Sequence, residues 1–127
     1  MTTKTLLISA LAAIAISCTT AEKPQLTVVP YPNEVEIKTG TFNASGADFH
    51  HSSDIDKATA DLINAFAGQL TLVSGQESTV DTSAASDGFI FTLDPTMPEE
   101  AYTLSISKKA VNVKASSLRG FNYAIQT

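Results

Sequence analysis

The sequence has only one cysteine and few basic residues, and both shortages limit what the protein can do. Its 127 residues include the single Cys18, so no disulfide can form within the chain. Lysine and arginine number 8 against 13 aspartates and glutamates, and they form no basic patch. We therefore do not expect nucleic acid to be a partner. The net charge of −5 is spread along the chain and indicates solubility more than a specific ligand.

Sequence signatures of catalysis and of cofactor binding are missing as well. The chain contains no G-x-S-x-G nucleophile motif, no G-x-G-x-x-G dinucleotide motif and no phosphate-binding P-loop. Its 13 acidic residues are scattered and include no recognisable pair for acid–base catalysis. The sequence therefore predicts no catalytic residue, no metal ligand and no cofactor within this chain.

Two pairs of adjacent residues are the strongest remaining candidates for chemistry. His50 and His51 point to opposite sides of an extended segment, and they lack the i, i+4 spacing of a helical zinc site. We therefore favour a surface loop over a metal site for the histidines. Glu99 and Glu100 follow Pro98 in an expected turn, which favours a solvated loop over a catalytic carboxylate pair.

The longest apolar run lies at the very start of the sequence. It extends over about 11 residues, Leu6 to Ile16, after Lys4 and before Ser17 and Cys18. A membrane-spanning helix needs about 20 such residues, and an amphipathic core helix would interrupt the run more often than Ser9 does. A charged start, a short apolar run and a small residue at the end are typical of a secretory signal.

The only cysteine stands where a bacterial lipoprotein carries its acylated residue. Ala15-Ile16-Ser17-Cys18 resembles a lipobox, although Ala15 replaces the usual leucine. We predict lipidation at Cys18 and a protein that is exported and lipid-anchored to the bacterial cell envelope, facing either the periplasm or the cell surface. The alternative is an ordinary secreted protein. We predict three parts of the chain. Residues 1–18 are the signal peptide, residues 19–26 are a polar linker and residues 27–127 are the folded domain.

Hydrophobic periodicity divides the rest of the chain into a hairpin, a helix, a strand, a second hairpin and a second helix. The predicted elements are a hairpin from Thr27 to Phe42 with a break at Pro30–Asn33, a helix from Ser53 to Leu70, a central strand Phe89–Leu93, a hairpin from Tyr102 to Ala115, and a helix capped by Ser116 or Ser117. Residues 75–87 are expected to be a loop. This order predicts an α+β fold, a mostly antiparallel sheet with two helices on one face.

The two predicted helices each carry one apolar face. In the first, Ser53 is the expected cap, with Asp56 three residues on in the capping-box position. Its apolar face consists of Ile55, Ala58, Leu62, Phe66 and Leu70, with Thr59 and Ile63 beside them. In the second, Leu118, Phe121 and Ile125 lie on one side.

Two stretches are distinctive, VVPYPNEVEIKTGTF (Val28 to Phe42) and EEAYTLSISKKAVNVKASSLRGFNYAIQT (Glu99 to Thr127). They resemble the beginning and the end of one known domain, the N-terminal domain of family 20 β-N-acetylhexosaminidases. The first resembles I-(I/V)-P-x-P-x-x-(V/I)-x-x-x-x-G-x-F and matches at Val29, Pro30, Pro32, Val35, Gly40 and Phe42. The second matches at Glu100, Tyr102, Leu104, Ile106, Val111, Val113, Ala115, Gly120, Tyr123, Ala124, Gln126 and Thr127. One departure is Ala110, where the family commonly has glycine in the hairpin turn.

The resemblance implies a supporting role. In that family this small α+β domain precedes a (β/α)8 barrel, whose Asp-Glu pair removes terminal N-acetylhexosamine from glycans with help from the substrate's own acetamido group. No residue of this chain matches that pair, so the resemblance implies an inactive domain that meets glycan only through the barrel. Two alternatives stay open: the domain precedes a different barrel, O-GlcNAcase-like or α-glucuronidase, or it is a free-standing lipoprotein that binds a glycan or a partner.

The predicted lipid anchor can be tested directly. Cys18→Ser removes the only thiol that could be acylated, so metabolic labelling with a fatty-acid analogue should mark the original chain and not the variant. Equal labelling of the two proteins would show that Cys18 is not the lipidation site.

Overall fold

The computed structural model describes residues 26–29 and 31–127. The predicted signal peptide, Cys18, most of the linker and Pro30 lie outside the described residues. The elements are β1 Phe49–His51, α1 Lys57–Ser74, β2 Val80–Asp81, β3 Gly88–Leu93, β4 Tyr102–Ile106, β5 Ala110–Ala115 and α2 Leu118–Gln126. No helix in this part of the chain is both long and apolar enough to cross a membrane.

The five strands form one mixed sheet in the order β2-β1-β3-β5-β4. Three of its four pairings are parallel, and only β4 with β5 is antiparallel. The predicted mostly antiparallel sheet is therefore wrong, although the two helices, the second hairpin and the central position of β3 are confirmed. Parallel neighbours need a connection that returns the chain to the same end of the sheet. Helix α1 provides that return between β1 and β2, and β4 provides it between β3 and β5.

The predicted N-terminal hairpin does not form. Residues 26–29 and 31–48 contain no strand, and Val35 and Ile37 remain 39% and 48% exposed. Phe42 instead packs edge-on against Phe89 of β3, with ring centroids 5.2 Å apart. Phe42, which the prediction placed in the hairpin, thus packs against the core from a segment without a strand.

A short strand lies inside the stretch predicted to be a loop. Strand β2 pairs with β1 through Val80 beside Phe49 and Asp81 beside His50. A two-residue strand has too few positions to show alternation in the sequence. The expectation of a loop over residues 75–87 is thus wrong at β2.

The N-cap of helix α1 lies three residues after the predicted cap, Ser53. Asp56 is the N-cap, and its carboxylate accepts hydrogen bonds from the backbone N and the Oγ1 of Thr59, both at 3.0 Å. The helix ends at Ser74, four residues beyond the predicted Leu70, and its C-cap Gly75 adopts the left-handed conformation with φ 70°. Its buried face is centred on Thr59, Ile63 and Ala67, and the predicted core residue Ala58 is exposed.

Both helices pack on the same face of the sheet. Phe49 of β1 stacks on its register partner Phe89 of β3, with ring centroids 4.4 Å apart. Phe66 of α1 meets Phe49 edge-on at 5.5 Å, and Phe121 of α2 packs on Phe91 at 6.1 Å. Parallel register partners share a face, as do residues two apart in a strand, so the prediction of two helices on one face is confirmed. Burial of Phe49, Phe89, Phe91 and Phe121 contributes about 1.5–3 kcal/mol for each ring.

The β4–β5 turn explains how alanine replaces the glycine expected there. The hydroxyl of Ser107 accepts a hydrogen bond from the backbone N of Ala110 at 3.0 Å, and Ser107 N donates to Ala110 O at 2.8 Å. Among the described residues, no residue other than glycine has a positive φ. Ala110 therefore needs no glycine-like conformation.

Helix α2 lies so close to its neighbours that one position on it excludes a side chain. Ser117 is the N-cap, as one of the two predicted choices, and its hydroxyl accepts from Gly120 N at 3.3 Å and donates to Glu99 O. A methyl group at Gly120 would lie 2.6 Å from the carbonyl oxygen of Ala101 and 2.8 Å from Cβ of Ala115. Gly120 thus sets the distance between α2 and the sheet.

The two helical glycines predict opposite effects of the same substitution. Gly120→Ala should lower the free energy of unfolding by about 1–2 kcal/mol, because the overpacking cost exceeds the gain in helix propensity. Gly68→Ala, on an exposed part of α1 with no atom within 4 Å of the new methyl, should raise it by about 0.5–1 kcal/mol. Urea denaturation of both variants measures the difference. A Gly120→Ala protein as stable as Gly68→Ala would contradict the packing described for α2.

Candidate functional site

A polar pocket of about 310 Å³ opens where β1, β3 and β5 begin. These strands run parallel, so their amino-terminal ends meet at one edge of the sheet. The charged or titratable side chains that line the pocket are Asp48, His50, Asp87, Lys108 and Lys109. This brings together residues that are far apart in the sequence, including one of the two histidines considered above.

The pocket histidine is held by a hydrogen-bonded cluster. Nδ1 of His50 lies 2.9 Å from Oδ1 of Asp81, and that same oxygen accepts from the hydroxyl of Ser83 at 2.6 Å. An ionised carboxylate can only accept, so His50 Nδ1 carries the proton in this contact. The Ser83 hydroxyl bond, then the His50 bond, lower the pKa of Asp81 to about 2. The cluster joins β2 to β1 from the polar face of the sheet.

A second carboxylate fastens the same two segments. Oδ1 of Asp48 accepts from the backbone N of Thr79 at 2.9 Å and from its hydroxyl at 2.7 Å, and these bonds lower the pKa of Asp48. The carbonyl of Asp48 accepts from Phe89 N at 2.8 Å. A methyl group at Gly88 would lie 2.4 Å from that carbonyl oxygen, and Gly88 has φ 80°, so glycine is required there.

The expectation of a surface loop for the two histidines is wrong, because both lie in β1 and are partly buried. Their side chains lie on opposite faces, as the sequence predicts for consecutive residues of an extended segment. His51 Nδ1 donates to the carbonyl of Ser52 at 3.0 Å. Across residues 26–29 and 31–127, no group of three or more His, Cys, Asp or Glu side chains is placed to hold a metal ion.

The two adjacent glutamates lie away from this pocket, in the loop between β3 and β4. Glu99 and Glu100 are exposed, and their carboxylates lie 3.8 and 3.3 Å from Nη1 of Arg119 in α2. The loop is fastened to α2 by a further hydrogen bond, from the Ser116 hydroxyl to Pro98 O at 3.1 Å. The predicted solvated loop agrees with this position.

We call Asp48, His50, Thr79, Asp81 and Ser83 the polar lock, because their hydrogen bonds hold β2 and its flanking residues to β1. Asp48 and Asp81 both accept hydrogen bonds that hold β2 and its flanking residues against β1. No sequence motif joins the members of this cluster, since they come from separate elements of the fold. The one local signal is Asp81-Thr82-Ser83, in which the aspartate binds the backbone N two residues on, at 2.8 Å.

Comparison with models of known families assigns the chain to one of them. The family model for glycosyl hydrolase family 20, domain 2, matches residues 25–127. The chain therefore belongs to this family, and the resemblance noted in the sequence is confirmed at that level. The match covers the whole region that we assigned to the folded domain.

Two solved structures of a family 20 exo-β-N-acetylglucosaminidase from Vibrio harveyi share this fold. An inactive mutant matches with a TM-score of 0.55 and 23% identity, over 76% of this chain and 14% of that protein. The enzyme in complex with N-acetylglucosamine matches with a TM-score of 0.57 and 23% identity, over 77% of this chain and 15% of that protein. The chain thus spans a small fraction of their length. No curated protein sequence matches it.

The hydrogen bonds to Asp81 in the polar lock predict that the stability of the fold depends on pH. Because the pKa of Asp81 is lowered from its ordinary value of 3.8, the ionised carboxylate stabilises the folded state at pH values above 3.8. This stabilisation is lost as the pH falls through about 2. In Asp81→Asn, the free energy of unfolding should therefore fall less between these two pH values than in the original chain. Urea unfolding at a series of pH values measures this slope.

The matched control is Asp87→Asn, which changes an exposed carboxylate of the same pocket and leaves the His50–Asp81 contact intact. The change of its free energy of unfolding with pH should be closer to that of the original chain than the change measured for Asp81→Asn. Identical slopes for Asp81→Asn and the original chain would show that the cluster does not stabilise the fold.

Proposed function

We propose that this chain is the supporting domain of a β-N-acetylhexosaminidase that removes terminal N-acetylhexosamine from glycans, and that the active site lies in a catalytic barrel outside these 127 residues. The family match over residues 25–127 carries the proposal. The hydrogen bonds of two carboxylates, one in the pocket and one beside it, support it as well. Asp48 and Asp81 are engaged in holding strands together, which is a structural use of carboxylates.

Two hydrogen bonds at the C-terminal end of α2 are consistent with a domain that positions a neighbour. The hydroxyl of Thr127 donates to Tyr123 O at 2.9 Å, and it lies 2.6 Å from the hydroxyl of Tyr102 on β4. Because Thr127 donates to a carbonyl, Tyr102 is the donor in the second bond. Thr127 is thus fastened both to α2 and to the sheet. In the proposed arrangement the barrel follows from this fixed point, so its orientation is set by the fold of the domain.

The proposal includes a cellular location for the enzyme. The lipobox-like sequence ending at Cys18 supports a lipid anchor on the bacterial cell envelope, with the polar linker separating the lipid from the domain. The barrel would then bind glycan at the envelope, and the lipid would attach the protein to the membrane. Neither this anchor nor the glycan contact involves a cofactor.

The proposal predicts that the purified chain does not hydrolyse a chromogenic N-acetylglucosaminide above the rate of a buffer blank. The reason is that the family's catalytic carboxylate pair belongs to the barrel. The measurement is release of the chromophore, with a family 20 exo-β-N-acetylglucosaminidase as the positive control. Turnover that remains with the chain through successive purification steps would contradict the supporting role.

The coding DNA beyond the codon for Thr127 distinguishes the alternatives. An open frame that encodes a barrel with adjacent Asp and Glu supports the proposal. A barrel with a different pattern of acids favours an O-GlcNAcase-like enzyme or an α-glucuronidase instead. A stop codon, together with a folded and monodisperse purified domain, favours a free-standing binding protein.

A further inference from the structure

Strand β4 is an edge of the sheet without the features that usually protect an edge strand. In the described part of the chain it pairs only with β5. Its residues, Tyr102–Ile106, include no charged residue and no proline, the two kinds of residue by which exposed edges commonly avoid pairing. Ile106 at its end is 57% exposed. The edge is therefore open to a further strand.

The hydrogen bonds of the β4–β5 turn show which backbone groups of β4 face this open edge. Ser107 N donates to Ala110 O at 2.8 Å, and in an antiparallel ladder alternate residues bond the neighbouring strand. The odd-numbered residues of β4 thus bond β5. The backbone N–H and C=O groups of the even-numbered residues, Tyr102, Leu104 and Ile106, point to the open edge.

The sequence around β4 is complementary to itself when it is read in the opposite direction. Residues 99–109, EEAYTLSISKK, which we call the edge segment, begin with two acidic residues and end with two basic ones. Leu104 lies at the centre. If two copies run antiparallel with their Leu104 residues side by side, Tyr102 of each copy lies beside Ile106 of the other. Pairs of an aromatic and a β-branched side chain stabilise antiparallel strands.

The same alignment brings opposite charges together at both ends of the edge segment. Glu99 and Glu100 share a single guanidinium, that of Arg119, at 3.8 and 3.3 Å, so the acidic end keeps a net negative charge. The ion pairs formed within residues 26–29 and 31–127 include neither Lys108 nor Lys109. Each end therefore has charge that an oppositely charged partner can neutralise.

We propose that this edge binds a second copy of the chain, and that the two β4 strands pair antiparallel about a twofold axis at Leu104. The sheet then continues from one copy into the other. Tyr102, Leu104 and Ile106 exchange about six backbone hydrogen bonds with the second copy. The exposed Ile106 is covered by Tyr102 of the second copy, and Glu100 lies near Lys108 of the second copy.

Backbone geometry limits the register to this one. Residues that exchange hydrogen bonds in an antiparallel pair lie directly opposite each other, so the outward-facing residues must pair among themselves. Among the registers that do this, the one centred on Leu104 pairs the whole of Tyr102–Ile106 and joins both charged ends. A shift by two residues would leave part of the strand unpaired and would separate the acidic pair from the basic pair.

A second copy fits this edge because one sequence supplies both complementary halves. The contact is isologous and closes after two copies, so it does not lead to a filament. The edge segment is shorter than the roughly 20–30 residues that each partner contributes to a standard interface. We therefore expect a reversible dimer of modest affinity.

Charge exchange tests the pairing in the 127-residue chain. Sedimentation equilibrium from about 1 μM to about 1 mM should show a reversible monomer–dimer equilibrium. The double variants Lys108→Glu, Lys109→Glu and Glu99→Lys, Glu100→Lys should each dimerise at least about tenfold more weakly, because like charges then meet at both ends. An equimolar mixture of the two variants should recover the original affinity as a heterodimer.

Both variants remain net negative, so general attraction between oppositely charged proteins does not account for such a recovery. The control Lys57→Glu, Asp61→Lys reverses an exposed ion pair on α1 and should dimerise like the original chain. An original chain that is monomeric at the highest concentration would overturn the proposal. A mixture that associates no better than either variant alone would do the same.

Disulfide trapping tests the register. In a Cys18→Ser background, a Thr103→Cys protein is mixed with an equal amount of a Ser105→Cys protein, and each has one thiol at an exposed position. In the proposed register, Thr103 lies opposite Ser105 of the second copy, with Cα atoms about 4.5 Å apart. Identical positions are about 7–8 Å apart, beyond the usual reach of a disulfide.

The mixed disulfide should therefore be the main product of oxidation, as measured by mass spectrometry of the intact dimers. Random encounters would give it only its statistical share, about half of the dimers, because no register would then select between thiols. A mixed disulfide at or below that share would show that the two β4 strands do not pair as proposed.

Discussion

The aromatic stack of Phe49, Phe89 and Phe91 is the interaction on which the rest of this structure depends. Phe49 and Phe89 lie nearly parallel, with an angle of 14° between ring planes. The stack aligns β1 with β3, and Phe66 and Phe121 then place α1 and α2 on it. Because side chains alternate along a strand, the same alignment puts His50 on the opposite face, beside Asp81. The polar lock on β2 is therefore a consequence of the apolar core.

Local sequence patterns predicted the elements whose determinants are also local. The hairpin from Tyr102 to Ala115, the strand from Phe89 and the Ser117 cap each depend on neighbours within a few residues, and each is present. The direction of strand pairing depends on contacts across the chain, such as Phe49 with Phe89, which are 40 positions apart. Periodicity assigns a side chain to a face and carries no information about the neighbouring strand, so the parallel pairings could not be predicted.

The same distinction explains what could be predicted of the candidate site. The expected separation of His50 and His51 onto two faces follows from strand geometry alone and is present. Their partial burial, and the role of Asp81 and Ser83, depend on β2, whose two residues leave no pattern. Family membership came instead from motifs at both ends of the domain. Those motifs include Gly120, whose need for space beside Ala101 and Ala115 has a clear physical reason.

A domain that fixes the position of a catalytic domain should affect the thermal stability of the enzyme more than its catalytic rate. The most direct measurement is thermal inactivation of the hexosaminidase activity that the proposed function assigns to the product of the whole reading frame, with Gly120→Ala introduced. The proposed function predicts a lower inactivation temperature with an unchanged initial kcat/KM for an N-acetylglucosaminide. A product without such activity, or a variant with altered kcat/KM and unchanged inactivation temperature, would contradict the supporting role.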